Sequence, residues 1–212
     1  MIDIIIPTYK RAHRLASVID NIHENTTVEH RILFVVEPED LDSIHAVLGA
    51  GERVMISEIP GNHTGAANTG YKYTHGEYII IANDDFVFMP EWDTKAIEAL
   101  SHGWQVCGLN DMGGGDRCVT IFLFKRSYIV EQSGCMDVPN VVFYPGYNHQ
   151  YVDTEFWETA ERRRVFARCP ESRIEHMHPG FGKASTDETY GKANSKAEID
   201  AETYRSRRHL WA

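Results

Sequence analysis

Two adjacent carboxylates, Asp84 and Asp85, stand just beyond the run EYIIIA at residues 77–82, with Asn83 between the run and the acids. Burying either charge without a partner would be costly, so both side chains must meet solvent, a cation or a hydrogen-bonding ligand. Mg²⁺ and Mn²⁺ prefer carboxylate oxygens together with diphosphate oxygens, and they commonly take only one or two protein carboxylates. With Asn83 beside them, the two acids therefore predict a metal and phosphate site. A turn or a helix cap is the alternative.

Alternating strands and helices would position these acids. The predicted strands are residues 2–6, 31–36, 53–57 and 77–82, and the predicted helices are 11–23, near 40–49 and near 64–75. Short β-branched runs that alternate with amphipathic helices are typical of an α/β fold with a mostly parallel central sheet and helices on both faces. Ligands of such sheets bind beyond the carboxyl ends of the strands. Residues 7–11, 37–39 and 83–85 lie at such ends.

The pattern changes after residue 91. The further predictions are a helix at 91–100, a strand at 104–110, a glycine-rich loop at 111–117, a strand at 118–125, an aromatic loop at 134–150, a helix starting near Asp153, a lid in 178–194 and a closing helix over 195–211. We expect one domain over residues 1–212. Its nucleotide-binding half is about 1–110, its acceptor and catalytic half about 111–180, and its lid with the C-terminal helix about 181–212.

Composition limits the classes of partner. A formal net charge of −10 disfavours broad binding to nucleic acid, which needs Lys and Arg to neutralise phosphates. The arginines at 162–164 and at 205, 207 and 208 are interpreted as solvated helix faces. The four cysteines form no CxxC pair, which argues against a zinc site and favours a reducing cytoplasm. We expect neither a signal peptide nor a membrane span, because no apolar run approaches about 20 residues.

Several familiar sites are excluded by spacing. The segment GNHTGAANTG at residues 61–70 has neither the GxGxxG spacing of a dinucleotide fold nor a Walker lysine. No GxSxG elbow of a serine hydrolase occurs.

Five motifs in series resemble the family 2 glycosyltransferases of the GT-A fold. They are PTYKR at 7–11, Glu37, GAANTG at 65–70, NDD at 83–85 and DTEFW at 153–157. The resemblance covers roughly residues 2–165, in the order and spacing of the family. It implies a GT-A fold and a sugar nucleotide as donor.

The resemblance also assigns residues to the donor. Nucleotide-binding roles fall on Pro7, Thr8, Tyr9, Arg11, Glu37, Gly65, Ala66, Asn68, Asn83 and Asp84. NDD stands in place of the family's DxD motif, so Asp85 matches the acid that coordinates the metal, Mn²⁺ or Mg²⁺. His176 and His178 would share one face of a strand, and GT-A enzymes often complete the metal shell with a late histidine. Lys183 or a tail arginine would lie near the diphosphate.

The catalytic acid is assigned in the same way. Asp153 matches the late acid that serves as general base in inverting members, and Glu155 is the reserve candidate. A carboxylate within hydrogen-bond reach can take the proton of the attacking hydroxyl. An acid in the first turn of a helix, favoured by the helix dipole, is the alternative for both. Tyr144 and Tyr147 are candidates to stack on a sugar or base, whereas core packing is expected for Trp104 and Trp157.

The resemblance thus implies a metal-dependent inverting glycosyltransferase that uses a nucleoside diphosphate sugar, with UDP as the expected nucleotide. Acceptor choice is expected to lie in 134–150, and a glycan, a lipid-linked saccharide, a protein or a modified nucleobase remain open. Two other functions stay open. One is a nucleotidyltransferase or sugar-nucleotide pyrophosphorylase, although the first loop, PTYKRAH, lacks the glycine that such enzymes usually have. The other is a non-catalytic module that binds a sugar nucleotide.

Overall fold

A computed structural model describes residues 1–112 and 119–211. The strands are β1 (Ile2–Thr8), β2 (His30–Val36), β3 (Arg53–Ile56), β4 (Tyr78–Ile81), β5 (Phe86–Phe88), β6 (Val106–Asp111), β7 (Phe122–Lys125) and β8 (Phe166–His176). The helices are α1 (Ala12–Asn25), α2 (Leu41–Gly49), α3 (His63–Lys72), α4 (Trp92–Ser101), α5 (Arg126–Gln132), α6 (Val152–Arg162), α7 (Glu188–Asn194) and α8 (Ala197–Arg207).

The described strands form one mixed sheet in the order β3-β2-β1-β4-β7-β6-β8-β5. The first four strands are parallel, as the sequence predicts. The second half departs from this pattern, because β7 runs antiparallel to both of its neighbours and β5 runs antiparallel to β8. The carboxyl ends of β1, β2 and β4 therefore meet at one edge of the sheet, where the predicted ligand loops follow.

Helices cover both faces of the sheet, which explains why β1 is apolar without alternation. Ile4 and Ile6 point to one face and pack with residues of α1, α2 and α4. Ile5 points to the other face and packs with residues of α3, α5 and α6. At Gly70 the backbone of α3 lies so close to the sheet that a Cβ atom would collide with Ile5 and Val35. This close packing holds the N-terminus of α3 at the ligand edge of the sheet.

Some elements differ from the sequence prediction. The sequence does not predict helix α5, and α7 forms inside the segment predicted to be a lid loop. Strand β8 extends well beyond the short RIE segment that the sequence indicates. Most of the predicted glycine loop and the start of the predicted strand at 118–125 lie outside the described residues. No helix in the described part of the chain is long and apolar enough to cross a membrane.

Two arginines of the predicted solvated clusters have structural roles instead. Arg163 donates hydrogen bonds to the Tyr128 hydroxyl and to the carbonyl oxygens of Ser133 and Cys135, at 2.6–3.1 Å. Arg207 is buried against two carboxylates. These side chains stabilise the packing of α6 and α8, so they do not form part of an exposed basic patch.

Candidate active site

A cavity of about 320 Å³ opens at the carboxyl edge of the parallel strands. Its walls come from the loops after β1, β2 and β4, the N-termini of α3 and α6, the end of β8 and the segment around α7. The sequence-predicted site residues that line it are Pro7, Thr8, Tyr9, Arg11, Glu37, Asn83, Asp84, Asp85, Asp153, His176 and His178. Most of the predicted site residues are thus brought together in one cavity.

Asp84 is held by two buried partners. The Thr8 hydroxyl donates to Asp84 Oδ2 at 2.6 Å, and Arg11 Nη1 donates to Asp84 Oδ1 at 2.6 Å. Burial opposes the charge on Arg11, but Asp84 and Asp187 outweigh this and raise its pKa. Arg11 therefore remains charged, and it joins the loop after β1 to the acid pair after β4.

Asp85 is buried beside Asp84 and has two differently placed oxygens. Asp85 Oδ2 accepts a hydrogen bond from the Tyr190 hydroxyl at 2.5 Å, and Asp85 Oδ1 lies 3.3 Å from His176 Nε2 without a hydrogen-bond partner among the described residues. Burial opposes ionisation, but His176, Tyr190 and Arg11 outweigh it and lower the pKa of Asp85. The charge of Asp85 is thus paired with His176, and both residues line the cavity.

His176 lies between two carboxylates. Its Nδ1 is 3.7 Å from Asp111 Oδ2, on the side opposite Asp85. Burial lowers the pKa of His176, but Asp111 and Asp85 outweigh burial and raise the pKa to about 9. The His178 ring lies 4.9 Å from the His176 ring, and His178 Nδ1 accepts a hydrogen bond from the Gly180 amide at 3.0 Å. Both histidines reach the cavity, although β8 ends at His176 and His178 follows it.

The residues present fit a divalent cation. Asp85 would supply a carboxylate oxygen, the ligand type that Mn²⁺ and Mg²⁺ prefer, and His176, 3.3 Å away, would supply a nitrogen once its ring gives up the extra proton. Within residues 1–112 and 119–211, no group of three His, Cys, Asp or Glu side chains is arranged around a common point. Diphosphate oxygens of a ligand would have to complete the coordination.

Asp153 lies in the first turn of α6, at the cavity wall. Its Oδ1 accepts a hydrogen bond from the Thr154 amide at 2.8 Å. Burial raises the pKa of this carboxyl group, although the Thr154 amide acts in the opposite direction. A carboxylate with a raised pKa is a stronger base than an exposed one, which suits proton abstraction.

Glu155 lies elsewhere, although it is only two residues from Asp153. Its Oε1 accepts from Arg207 at 2.7 Å, and its Oε2 accepts from the Tyr147 hydroxyl at 2.8 Å. It is absent from the cavity wall. Residues two apart on a helix point in different directions, so Glu155 faces the interior between α6 and α8.

Other predicted donor residues act behind the cavity wall. Asn68 Oδ1 accepts from the amides of Val142 and Phe143, which fixes the middle of the predicted acceptor loop. Gly65 packs tightly against Ile59, and the neighbouring Ala66 does line the cavity.

The predicted aromatic residues are mostly engaged within the protein. The rings of Tyr144 and Tyr147 pack against one another, and the Arg207 guanidinium lies over the Tyr144 ring at 3.2 Å from its centroid. Tyr147 is fully buried. Trp157 packs against the core, whereas Trp104 is 38% exposed, so the expectation of core packing is wrong for Trp104.

The segment around α7 closes one side of the cavity, and no sequence motif indicated its contacts. Arg11 Nε donates to Asp187 Oδ2 at 2.9 Å, and the Thr189 hydroxyl donates to the Tyr9 carbonyl oxygen at 2.9 Å. The Lys192 ammonium lies over the Tyr9 ring at 4.0 Å. Lys183, the predicted phosphate contact, instead pairs with Glu175 at 2.9 Å. Lys192 and Lys196 are the lysines of this segment that line the cavity.

A buried carboxylate on α8 fixes the loop that leads into α6. Asp200 accepts hydrogen bonds from the amides of Asn148, His149 and Gln150 at 2.8–2.9 Å, and from Asn148 Nδ2 at 3.0 Å. Asp200 is fully buried. This anchor sets the position of the cavity wall next to Asp153, and sequence reasoning could not find it because 50 residues separate the partners.

Asp200→Asn is expected to lower the free energy of unfolding by about 3 kcal/mol. In the variant, an NH₂ group would replace one carboxylate oxygen, and its N–H donors would face the backbone N–H donors that Asp200 now accepts from. The charge is lost as well, and hydrogen bonds to a charged group contribute about 1.5–3 kcal/mol each. Urea unfolding measures the loss. The same change at the exposed Asp42 of α2 is the control, and equal stability of the two variants would contradict this role.

Comparison with known proteins agrees with the fold. The model of the glycosyl transferase family 2 matches residues 3–126, and the chain belongs to this family. Its fold is the GT-A fold. No curated protein matches the chain in sequence.

Solved structures share the fold at low sequence identity. The mannosyltransferase PcManGT from Pyrobaculum calidifontis, in complex with GDP-Man and Mn²⁺, is 14% identical with a TM-score of 0.71; the match covers 96% of this chain and 64% of that chain. Glucosyl-3-phosphoglycerate synthase from Mycobacterium tuberculosis, in complex with Mn²⁺, UDP-Glc and phosphoglyceric acid, is 17% identical with a TM-score of 0.64, over 84% and 72% of the two chains. S. aureus TarS is 11% identical with a TM-score of 0.67, over 97% and 72%.

Proposed function

We propose that this protein is a metal-dependent, inverting glycosyltransferase that moves a hexose from a UDP-sugar to an acceptor hydroxyl. One observation carries the proposal: the acid Asp85, the His176 side chain paired with it and the base candidate Asp153 line the same cavity. Family membership gives the reaction class. The similar solved structures with nucleotide sugars and Mn²⁺ support the donor class and the metal.

The nucleoside and diphosphate would occupy the part of the cavity near β1 and β2. Tyr9 offers an aromatic face to the base, and Glu37 offers a carboxylate next to the Gly61 amide, which donates to Glu37 Oε2 at 2.7 Å. Arg11, Lys192 and Lys196 supply positive charge for the diphosphate.

Asp85 and His176 would hold Mn²⁺ or Mg²⁺, with His178 close by. When bound, the cation neutralises the negative charge that develops on the leaving diphosphate. Asp111, on the far side of His176, would orient the ring so that Nε2 faces Asp85, as partners behind metal ligands commonly do.

Asp153 would take the proton from the acceptor hydroxyl. The acceptor oxygen then forms a bond to the anomeric carbon, and the bond from that carbon to the diphosphate oxygen breaks, with its electron pair leaving on the diphosphate. Attack from the face opposite the leaving group inverts the anomeric configuration. Asn148 and Gln150 belong to the 134–150 segment, line the cavity close to Asp153 in the chain, and would contribute to acceptor choice.

A cytoplasmic location also belongs to this proposal. The three cysteines described by the structure, Cys107, Cys135 and Cys169, are free and buried. Free thiols fit a reducing compartment.

A donor screen tests the proposal. The protein is incubated with UDP-glucose, UDP-galactose, UDP-N-acetylglucosamine and GDP-mannose, with Mn²⁺ or with EDTA, and the released nucleoside diphosphate is quantified. We expect release from one UDP-sugar in Mn²⁺ and none in EDTA. Formation of a sugar nucleotide from a sugar phosphate and UTP would instead show a nucleotidyltransferase. Binding of a donor without any turnover would indicate a binding module.

Tyr190→Phe is expected to strengthen Mn²⁺ binding about tenfold. The Tyr190 hydroxyl donates to Asp85 Oδ2 and so draws negative charge away from the carboxylate that would bind the cation; a hydrogen bond to a charged group contributes about 1.5 kcal/mol. Titration of Mn²⁺ followed by electron paramagnetic resonance measures the affinity. Tyr73→Phe removes an equivalent bond to Glu58 on the surface and is the control. Weaker Mn²⁺ binding in Tyr190→Phe alone would show that the hydroxyl supports the cation.

A further inference from the structure

Two histidines in the cavity have no part in the mechanism above. His63 opens α3, and His149 lies in the loop before α6; both line the cavity. Their ring centroids are 4.6 Å apart, with an angle of 52° between the ring planes. The two rings therefore form one polar surface on the cavity wall, and we call them the histidine pair.

The backbone holds the histidine pair in place from both sides. The His149 amide donates to the buried Asp200 at 2.9 Å. Asn62 caps α3 by accepting from the Gly65 amide at 2.8 Å. The two segments are joined directly, because the Thr64 amide donates to the Asn148 carbonyl oxygen at 3.2 Å. The pair is thus pre-organised before any ligand binds.

Both rings are uncharged at neutral pH. Burial, assisted by the neighbouring His149, lowers the pKa of His63 to about 3, and burial also lowers the pKa of His149. A neutral imidazole has one N–H donor and one nitrogen acceptor. Within the described part of the chain, no residue forms a hydrogen bond with a ring nitrogen of either histidine. Together the rings offer two donors and two acceptors to a ligand.

The chemistry of the pair matches hydroxyl groups. A hydroxyl is both donor and acceptor, so it can satisfy either nitrogen of a neutral imidazole. A phosphate or carboxylate binds best to cationic groups, which the neutral histidine pair does not provide. The cationic groups of the cavity are Arg11, Lys192 and Lys196. The histidine pair lines the same cavity as Asp85, the acid that would bind the cation.

We propose that His63 and His149 bind the hydroxyl groups of the sugar ring of the donor and thereby determine which sugar is transferred. This inference rests on the proposed glycosyltransferase function and assigns its sugar specificity to two residues. A buried site that hydrogen-bonds a hydroxyl discriminates strongly against a sugar that lacks it, because the site's polar groups are then left unpaired.

The experiment compares the nucleotide with and without its sugar. His63→Phe and His149→Phe keep a ring of similar size and remove its hydrogen bonds. Binding of UDP and of UDP-glucose, each with Mn²⁺, is measured by calorimetry; GDP and GDP-mannose are used in parallel. His102→Phe, at an exposed position beyond the end of α4, is the matched control.

We expect both cavity variants to bind the nucleoside diphosphate as the wild type does, and to bind the nucleotide sugar about tenfold more weakly. Unchanged affinity for the nucleotide sugar would overturn the inference and leave the proposed function intact. Equal loss for the nucleotide and its sugar would also overturn it, since the pair would then serve the nucleotide or the fold. A wild type that binds neither compound would refute the proposed function and this inference together.

Discussion

Asp153→Asn is expected to lower the rate of sugar transfer at least about 100-fold while leaving the affinity for the donor nucleotide unchanged. General base catalysis contributes roughly 10²–10⁴ in rate. Asn has almost the same shape and can still accept the hydrogen bond from the Thr154 amide, so α6 should keep its first turn. Only the ability to take a proton is lost. Steady-state kinetics with calorimetric binding of UDP measures the two effects separately.

The matched control for this variant is Asp42→Asn. Asp42 also lies in the first turn of a helix, α2, but it does not line the cavity. If the only role of Asp153 were to stabilise the dipole of α6, Asp153→Asn and Asp42→Asn would each lower the free energy of unfolding by a few tenths of a kcal/mol and keep full activity. Full activity of Asp153→Asn would therefore remove Asp153 from the mechanism.

Arg207→Met is expected to lower the free energy of unfolding by about 3–5 kcal/mol. Arg207 donates to both oxygens of Glu155, whose side chain is only 2% exposed, and to Asp137. Met fills much of the same volume but leaves a buried carboxylate without its cation, and breaking a buried pair in this way is strongly destabilising. Chemical denaturation measures the loss.

Arg205→Met on the same helix is the matched control, because Arg205 pairs with the exposed Glu198. That change should alter stability by less than about 0.5 kcal/mol. Adding Glu155→Gln to Arg207→Met should restore part of the lost stability, since the unpaired charge is then gone. Equal effects of the two arginine changes would show that Glu155 is not buried against Arg207.

The parallel half of the fold follows from local sequence patterns. Leu15, Val18, Ile19 and Ile22 recur at helical spacing, and all four are buried on α1. The carboxyl ends of parallel strands meet at one edge, so the residues after β1, β2 and β4 could be placed together before their contacts were known.

The antiparallel half and the C-terminal segment could not be predicted in this way. Helix α7 contains Gly191 and Lys192 in a stretch typical of loops, and its order comes from distant contacts such as Tyr190 with Asp85. Strand β8 contains Pro170 and many polar residues, so its length depends on pairing with β5 and β6.

The residues of the site also divide into those that local sequence patterns predict and those that depend on distant contacts. Asp85 and Asp153 belong to motifs that a sequence displays directly. The histidine pair belongs to no motif, and its position depends on Asp200, a residue of α8. Asn148 and His149 lie in an aromatic loop, and no local pattern there indicates that its backbone amides converge on one carboxylate.

The most direct test of the account is the thermal stability of the protein with UDP and Mn²⁺, compared with Asp85→Ala under the same conditions. A ligand present at about 100 times its dissociation constant adds roughly 2.7 kcal/mol to the free energy of unfolding. For a domain of this size, that corresponds to a rise in Tm of roughly 5–10 °C. Asp20→Ala, at an exposed position of α1, is the control.

We predict that UDP with Mn²⁺ raises the Tm of the wild type and of Asp20→Ala, that EDTA abolishes the rise, and that Asp85→Ala shows none. A rise that Asp85→Ala retains would contradict the assignment of Asp85 to the metal and diphosphate site. No rise in the wild type with UDP, GDP, CDP or dTDP, under any metal condition, would contradict the donor site itself.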